Sequence, residues 1–163
     1  MKEQEKLSAS MEDYLETIDA LKRKNGAARV KDIGKCLEVK NSSVNSALAT
    51  LSKKGFVVHE RYGYVELTAA GQEVAREVQN RHDILIKFLT EVLCIDNKTA
   101  AEDACKMEHS ISHRAFNRLT KFIQFVETGS SETKPEWLKS FEHFFKTGKR
   151  LKCKMRRIAE RKR

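Results

Sequence analysis

Proline is almost missing from this chain, with one residue in 163, and tryptophan also occurs once. So little proline, together with 34% charged and 40% apolar residues, favours a soluble, helical protein with a modest core. No apolar run approaches the roughly 18 residues that a membrane span needs. The opening stretch MKEQEKLSAS has no apolar segment of the secretory kind, so a cytoplasmic protein is expected. The four cysteines, Cys36, Cys94, Cys105 and Cys153, include no CxxC pair. Zinc-ribbon spacing is therefore absent, and disulfides are not expected in that compartment. An excess of one charge is also lacking over most of the chain. Met1–Phe145 carries 22 basic and 22 acidic residues, and the whole net charge of +9 sits in the tail KTGKRLKCKMRRIAERKR. A tail of this kind either follows a phosphate backbone or stays solvated.

The patterning predicts helices with one interruption. LSASMEDYLETIDALKRKNG reads as a first helix, capped by Ser8 or Ser10 and stopped at Asn25-Gly26. ARVKDIGKCLEV gives a short second helix. SSVNSALATLSKKG gives a third, with Ser42 as N-cap and Val44, Leu48 and Leu51 inward. The period then changes. FVVHERYGYVELT is rich in β-branched and aromatic residues around Tyr62-Gly63 and reads as a hairpin. Three helices followed by a hairpin predict a winged helix-turn-helix with a two-stranded β wing, and the third helix is its recognition helix. A long fourth helix begins at Thr68. A fifth follows over DNKTAAEDACKMEHSI, a sixth over HRAFNRLTKFIQFVE, a loop at TGSSETKP, and a last amphipathic helix over EWLKSFEHFFKTG. The expected fold is mainly α: a DNA-binding domain over 1–72, an all-helical domain over 73–147, and a basic tail over 148–163.

The chemistry concentrates in AEDACKMEHSISH. Cys105, Glu108 and His109 stand at i, i+3 and i+4 on one helix face. Thiolate, carboxylate and imidazole suit a first-row cation such as Fe(II), Co(II), Ni(II) or Zn(II). The same residues also fit a helix that turns Cys105 inward and leaves the other two in solvent. In SMEDYLE, Asp13 and Glu16 again share a face, as ligands or as first-turn acids that favour the helix dipole. His82, in NRHDIL, is either a further donor or a surface or hydrogen-bonded histidine.

Taken together, MEDYLE, NSSVNSAL, RHDIL and ACKMEHSIS resemble, in order and spacing, the diphtheria toxin repressor family, which includes the manganese transport regulators. The resemblance runs from about Leu7 to Glu127. It implies a homodimeric, metal-activated transcriptional repressor with a winged helix followed by a helical dimerisation and metal-binding domain. It further implies that Asp13, Glu16, His82, Cys105, Glu108 and His109 ligate metal. Asp13 and Glu16 match the manganese branch and Cys105 the iron-responsive branch. Fe(II) is thus expected first and Mn(II) second, with Zn, Co or Ni accepted in vitro. The ancillary metal site of the diphtheria branch has a histidine and a glutamate where this chain has Ala101 and Ile86. A bridging carboxylate of the manganese kind is replaced by Cys105. PEWLKSFEHFF and the basic tail lie outside the resemblance, and no SH3-like third domain is expected.

The expected partners are double-stranded operator DNA and a second copy of the chain, with no membrane and no small organic substrate. Asn45 is placed to read a base edge. Ser42, Ser43, Ser46, Lys31, Lys53, Lys54 and the wing residue Arg61 are placed to meet phosphates. Ser42 also fits plain helix capping, and Lys53 and Lys54 a solvated helix end. Two other functions remain open: a winged-helix regulator that senses oxidant through Cys105, and a zinc metalloenzyme. No separate nucleophile or general base accompanies the cluster, so an enzyme is not expected.

Overall fold

The computed structural model describes residues 7–59, 63–128 and 135–151. Chain order runs α1 (Ala9–Asn25), β1 (Ala28–Arg29), α2 (Val30–Cys36), α3 (Asn41–Lys53), β2 (Val57–His59), β3 (Tyr64–Leu67), α4 (Ala69–Lys87), a π-helical turn (Phe88–Val92), α5 (Asn97–Glu108), α6 (His113–Thr128) and α7 (Glu136–Thr147). Two compact units result. The first is Met1–Asp83 with Cys105–Ser110, and the second is Ile84–Ala104 with Ile111–Arg163.

In the first unit α1 begins where Ser8 stops it from fraying. The Met11 amide donates to the Ser8 hydroxyl oxygen at 3.4 Å. It ends at Gly26, whose φ of 77° places it in the left-handed region that glycine enters without a Cβ penalty. Its inner face presents Tyr14, Leu15, Ile18 and Leu21. These meet Ile33 of α2, the face Val44, Ala47, Leu48 and Leu51 of α3, and Val57, Val65 and Leu67 of the sheet. Each fully buried aliphatic side chain contributes roughly 1.5–3 kcal/mol, so this cluster holds the helix-turn-helix in place.

The expected hairpin is present, with Val57 opposite Leu67 and Val58 opposite Glu66. A third strand joins it. Ala28 and Arg29, read from sequence as helix, pair antiparallel with Val65 and Tyr64. The sheet order is β1-β3-β2. Arg29 is held there because its guanidinium donates to the Tyr64 hydroxyl at 2.6 Å and lies 4.9 Å above that ring. The start of α3 also differs from expectation. Lys40, in extended conformation, is the N-cap and makes no side-chain cap. Ser42 lies inside the helix, and its carbonyl accepts from the Ser46 hydroxyl at 3.1 Å.

Thr68 pins the wing to α4. Its hydroxyl donates to the Gly55 carbonyl at 2.7 Å and accepts from the Gly71 amide at 3.1 Å. A Cβ on Gly71 would fall 2.1 Å from the Phe56 carbonyl oxygen, so only glycine allows this approach.

The second unit is held by two apolar clusters. Leu85, Leu89, Ala100 and Ala104 form one, and Val92, Ile123, Val126 and Leu138 the other. Asp96 caps α5 by accepting from the Lys98 and Thr99 amides at 3.1 and 3.0 Å. Phe122 meets Phe88 edge-on at 6.3 Å and Trp137 at 6.0 Å. No helix of the described residues is long and apolar enough to cross a membrane. The TGSSETKP loop falls mainly on residues 129–134, and the basic tail mainly on 152–163, all outside the described residues.

Candidate metal centre and DNA-facing helix

Three helices of the first unit supply the charged side chains. α1 carries Glu12, Asp13 and Glu16, α4 carries Arg81 and His82, and the end of α5 carries Cys105 and Glu108. α5 closes at Glu108, so His109 occupies the turn that follows rather than the helix expected from sequence.

Glu108 is the centre of the arrangement. Its side chain is 0% exposed, which is costly for a carboxylate unless partners compensate. One oxygen lies 2.7 Å from His82 Nδ1. The other, Oε1, lies 3.3 Å from His109 Nε2, and that nitrogen is 2.7 Å from Asp13 Oδ1. These last contacts have the distances but not the angles of hydrogen bonds. Among the described residues, Glu108 Oε1 and His109 Nε2 are buried polar atoms without a hydrogen-bond partner. Asp13, Glu108 and His109 each bring one donor atom within 4.8 Å of the other two.

The electrostatics agree with that crowding. Burial, then repulsion from Glu16, raises the Glu108 carboxyl above its ordinary range, against the pull of His82 and His109. Burial also raises Glu16, offset by His82 and reinforced by Asp13. For His109, burial disfavours the charged ring, yet the hydrogen bond with Glu12 and the charges of Asp13, Glu108 and Glu12 outweigh it and raise its pKa. Carboxyls raised by burial and by a neighbouring acid, with a carboxylate oxygen and an imidazole nitrogen buried without hydrogen-bond partners, fit a divalent cation. The donor set is hard oxygen plus borderline nitrogen, which suits Mn(II) and Fe(II).

The predicted residues therefore separate. Asp13, Glu108 and His109 converge, and His82 is bonded to Glu108. Glu16 feels both histidines, which pull its carboxyl down against burial. Cys105 is exposed and stands outside the three-atom group, although Glu108, Asp13 and Glu16, after burial, raise its thiol. Two participants were not foreseen. Glu12, 8% exposed, lies 2.7 Å from His109 Nδ1 and 3.1 Å from Arg81 Nη2. The signal was available in the sequence as an acid beside Asp13 and an arginine beside His82.

On α3, Ser42, Ser43, Asn45 and Ser46 are exposed on the face opposite Val44, Leu48 and Leu51. Lys31, Lys53 and Lys54 are exposed as well. Arg61 lies outside the described residues.

Comparison with known proteins bears on both features. Residues 6–65 match the family "iron dependent repressor, N-terminal DNA binding domain", and residues 68–138 match its "metal binding and dimerisation domain". The HTH-type transcriptional regulator MntR of Shouchella clausii is 37% identical over 118 residues, covering 72% of this chain and 82% of that one. The crystal structure of T. acidophilum IdeR superposes with a TM-score of 0.63 at 26% identity, covering 69% of this chain. The structure of the manganese regulator SloR gives the same TM-score and identity over 71% of it. The chain spans about half the length of those two structures, 53% and 54%. With both family domains matched in succession along its length, the chain belongs to the iron-dependent repressor family of metal-dependent transcriptional regulators.

Proposed function

We propose that this protein is a homodimeric transcriptional repressor, activated by Fe(II) or, second, Mn(II), that binds operator DNA of metal-homeostasis genes in the cytoplasm. The observation that carries the reading is the meeting of buried Glu108 Oε1 and His109 Nε2 with Asp13 in one three-atom cluster. Asp13, Glu108 and His109 hold the cation, with His82, Glu16 and Cys105 completing its surroundings. Family and relatives favour both metals: the family is described as iron dependent, and SloR as a manganese regulator. The Cys105 sulfur is what favours iron, because thiolate is the softest donor near the site. Zn, Co and Ni are expected to substitute in vitro.

A divalent cation supplies the positive charge that lets Asp13, Glu16 and Glu108 stay close together. The chain's own residues do the rest. Glu108 and His109 tie the last turn of α5 to α1, and α5 continues from that turn into the second unit. In a dimer this fixes the separation of two copies of α3, which must suit successive major grooves roughly 34 Å apart. Asn45 then faces a base edge, while the α3 serines, Lys31, Lys53, Lys54 and Arg61 face phosphates. Metal and DNA binding are reciprocally coupled, typically by about 1–3 kcal/mol.

Oxidant sensing through Cys105 is less well supported, because a thiol raised by burial and by carboxylates is a poor thiolate source. The family relatives are transcriptional regulators, and no catalytic role is proposed. The test is a titration of labelled operator-like DNA with and without divalent ions, anaerobically for iron. Tight binding only with metal supports the reading, and equal affinity after thorough chelation overturns it.

A further inference from the structure

We propose that Glu12, held by Arg81, is a positioning residue of the metal centre: it accepts a hydrogen bond from His109 Nδ1–H and so reserves Nε2 for the position shared with Asp13 and Glu108. The inference rests on the metal-centre reading above and adds to it a residue outside the six expected ligands.

The geometry forms a continuous line. Arg81 Nη2 lies 3.1 Å from Glu12 Oε1, Glu12 Oε2 lies 2.7 Å from His109 Nδ1, and the opposite nitrogen of the same ring faces Asp13 and Glu108 at 2.7 and 3.3 Å. Adjacent residues of α1 thus hold one imidazole by its two edges. Among the described residues, Glu12 and Glu108 are the buried charged side chains. An acid that merely complements the start of a helix has no reason to be 8% exposed with each oxygen against a different partner.

Chemistry assigns the roles. A neutral imidazole has one protonated nitrogen and one lone pair. A carboxylate can only accept, so a carboxylate at Nδ1 places the proton there and leaves the lone pair on Nε2. Arg81, whose charge is permanent, occupies the other oxygen of Glu12 at 3.1 Å. Asp13 lacks that clamp and is 38% exposed, which leaves it free to serve as a ligand. A carboxylate behind a ligating histidine fixes its tautomer and ring orientation and raises its basicity.

The first test needs no variant. In ¹⁵N-histidine-labelled protein, free of metal and at a pH where the ring is neutral, His109 is expected as the Nδ1–H tautomer. After loading with diamagnetic Zn(II), Nε2 should carry the metal-bound shift. Finding Nε2–H, or metal on Nδ1, overturns the proposal. Glu12→Gln presents an amide donor to Nδ1, so it should move the metal-free ring towards Nε2–H. It should also weaken Mn(II) binding by roughly 10–100-fold without altering thermal unfolding of the metal-free protein as a core deletion would. Arg81→Lys, which keeps the charge, should lose less than Arg81→Gln. The two readings fail differently. If wild type binds no divalent ion, or His109→Ala binds as well as wild type, the metal centre itself is misassigned. If His109→Ala loses binding while Glu12→Gln keeps wild-type affinity and tautomer, only the role of Glu12 falls.

Discussion

Leu48 in the first compact unit and Ile123 in the second are both sealed from solvent, at 1% exposure each, but their surroundings differ. Around Leu48 lies an apolar cluster that shares its unit with two buried carboxylates, Glu12 and Glu108. Around Ile123 the described buried residues are all apolar, and Phe125, Trp137, Phe144 and Phe145 remain exposed on α6 and α7. The first unit therefore contains groups that cost stability in the absence of a cation. Groups of that kind mark function more reliably than packing does.

The sharpest way to break this comparison is to remove bulk and charge separately. Leu48→Ala and Ile123→Ala should each cost roughly 2–5 kcal/mol in urea unfolding, and both should keep a metal response in the folded fraction. Glu108→Gln should leave metal-free stability unchanged or slightly higher, because it removes repulsion with Glu16. If it costs as much as Leu48→Ala, the carboxylate is there to hold His82, and the contrast between the units disappears. The same variant should lose more than about 100-fold in Mn(II) affinity by calorimetry, beyond the roughly 10–100-fold typical of partners behind a ligand.

A second contrast concerns pH. Glu108 and Glu16 have raised pKa values, so between the ordinary value of 4.5 and the raised one the folded state binds more protons than the unfolded state. His109 is also raised, so its contribution is complete below 6.5 and fades as pH rises through the folded value. Both signs agree: these groups make the metal-free protein less stable as pH climbs from about 4.5. Thermal unfolding of wild type against Glu108→Gln isolates the effect, with the variant showing the shallower decline. An equal slope in the two proteins would remove the electrostatic basis for calling this unit strained.

How much of this could be read from the sequence depended on the range of the interaction. Helix faces and ends were visible because their causes are local. Ser8, Gly26 and Thr68 act within four residues of the element they terminate, apart from the Thr68 bond to Gly55. β1 was not visible: two residues are too few for a period, and their partner Tyr64 lies 35 positions away. Ser42 looked like a cap by composition, but the helix is capped two residues earlier, at Lys40. The positions of Asp13, Glu108 and His109 could be named, although their convergence depends on how α1 packs against the end of α5. Glu12 drew no reading from the sequence, because a first-turn acid has no local mark that sets it apart, and its partner His109 lies 97 positions away. Cys105 shares a helix side with Glu108 in the sequence pattern, yet a side of a helix is broad, and the thiol is exposed.

That separation of Cys105 from the cluster sharpens the question of metal preference. Cys105→Glu would place a hard, longer donor where the sulfur now stands. The expected result is a shift of roughly tenfold towards Mn(II) over Fe(II), read as the ratio of ion concentrations that half-saturate DNA binding. An unchanged ratio would mean that Asp13, Glu108 and His109 set the preference without the thiol.

The smallest expected effect lies on α3 of the same unit. Lys53 is exposed at the end of α3, where a phosphate contact costs no burial. Lys53→Ala should weaken binding to specific and nonspecific DNA alike. It should also reduce the slope of log affinity against log salt by about 0.9 for one lost contact. The variant's affinity for Mn(II) in the absence of DNA should stay at the wild-type value, since Lys53 is not among the groups that act on Glu108. A change in that affinity would mean that the DNA-facing helix and the metal centre are coupled even without DNA. The helix and the cluster would then have to be treated as one site.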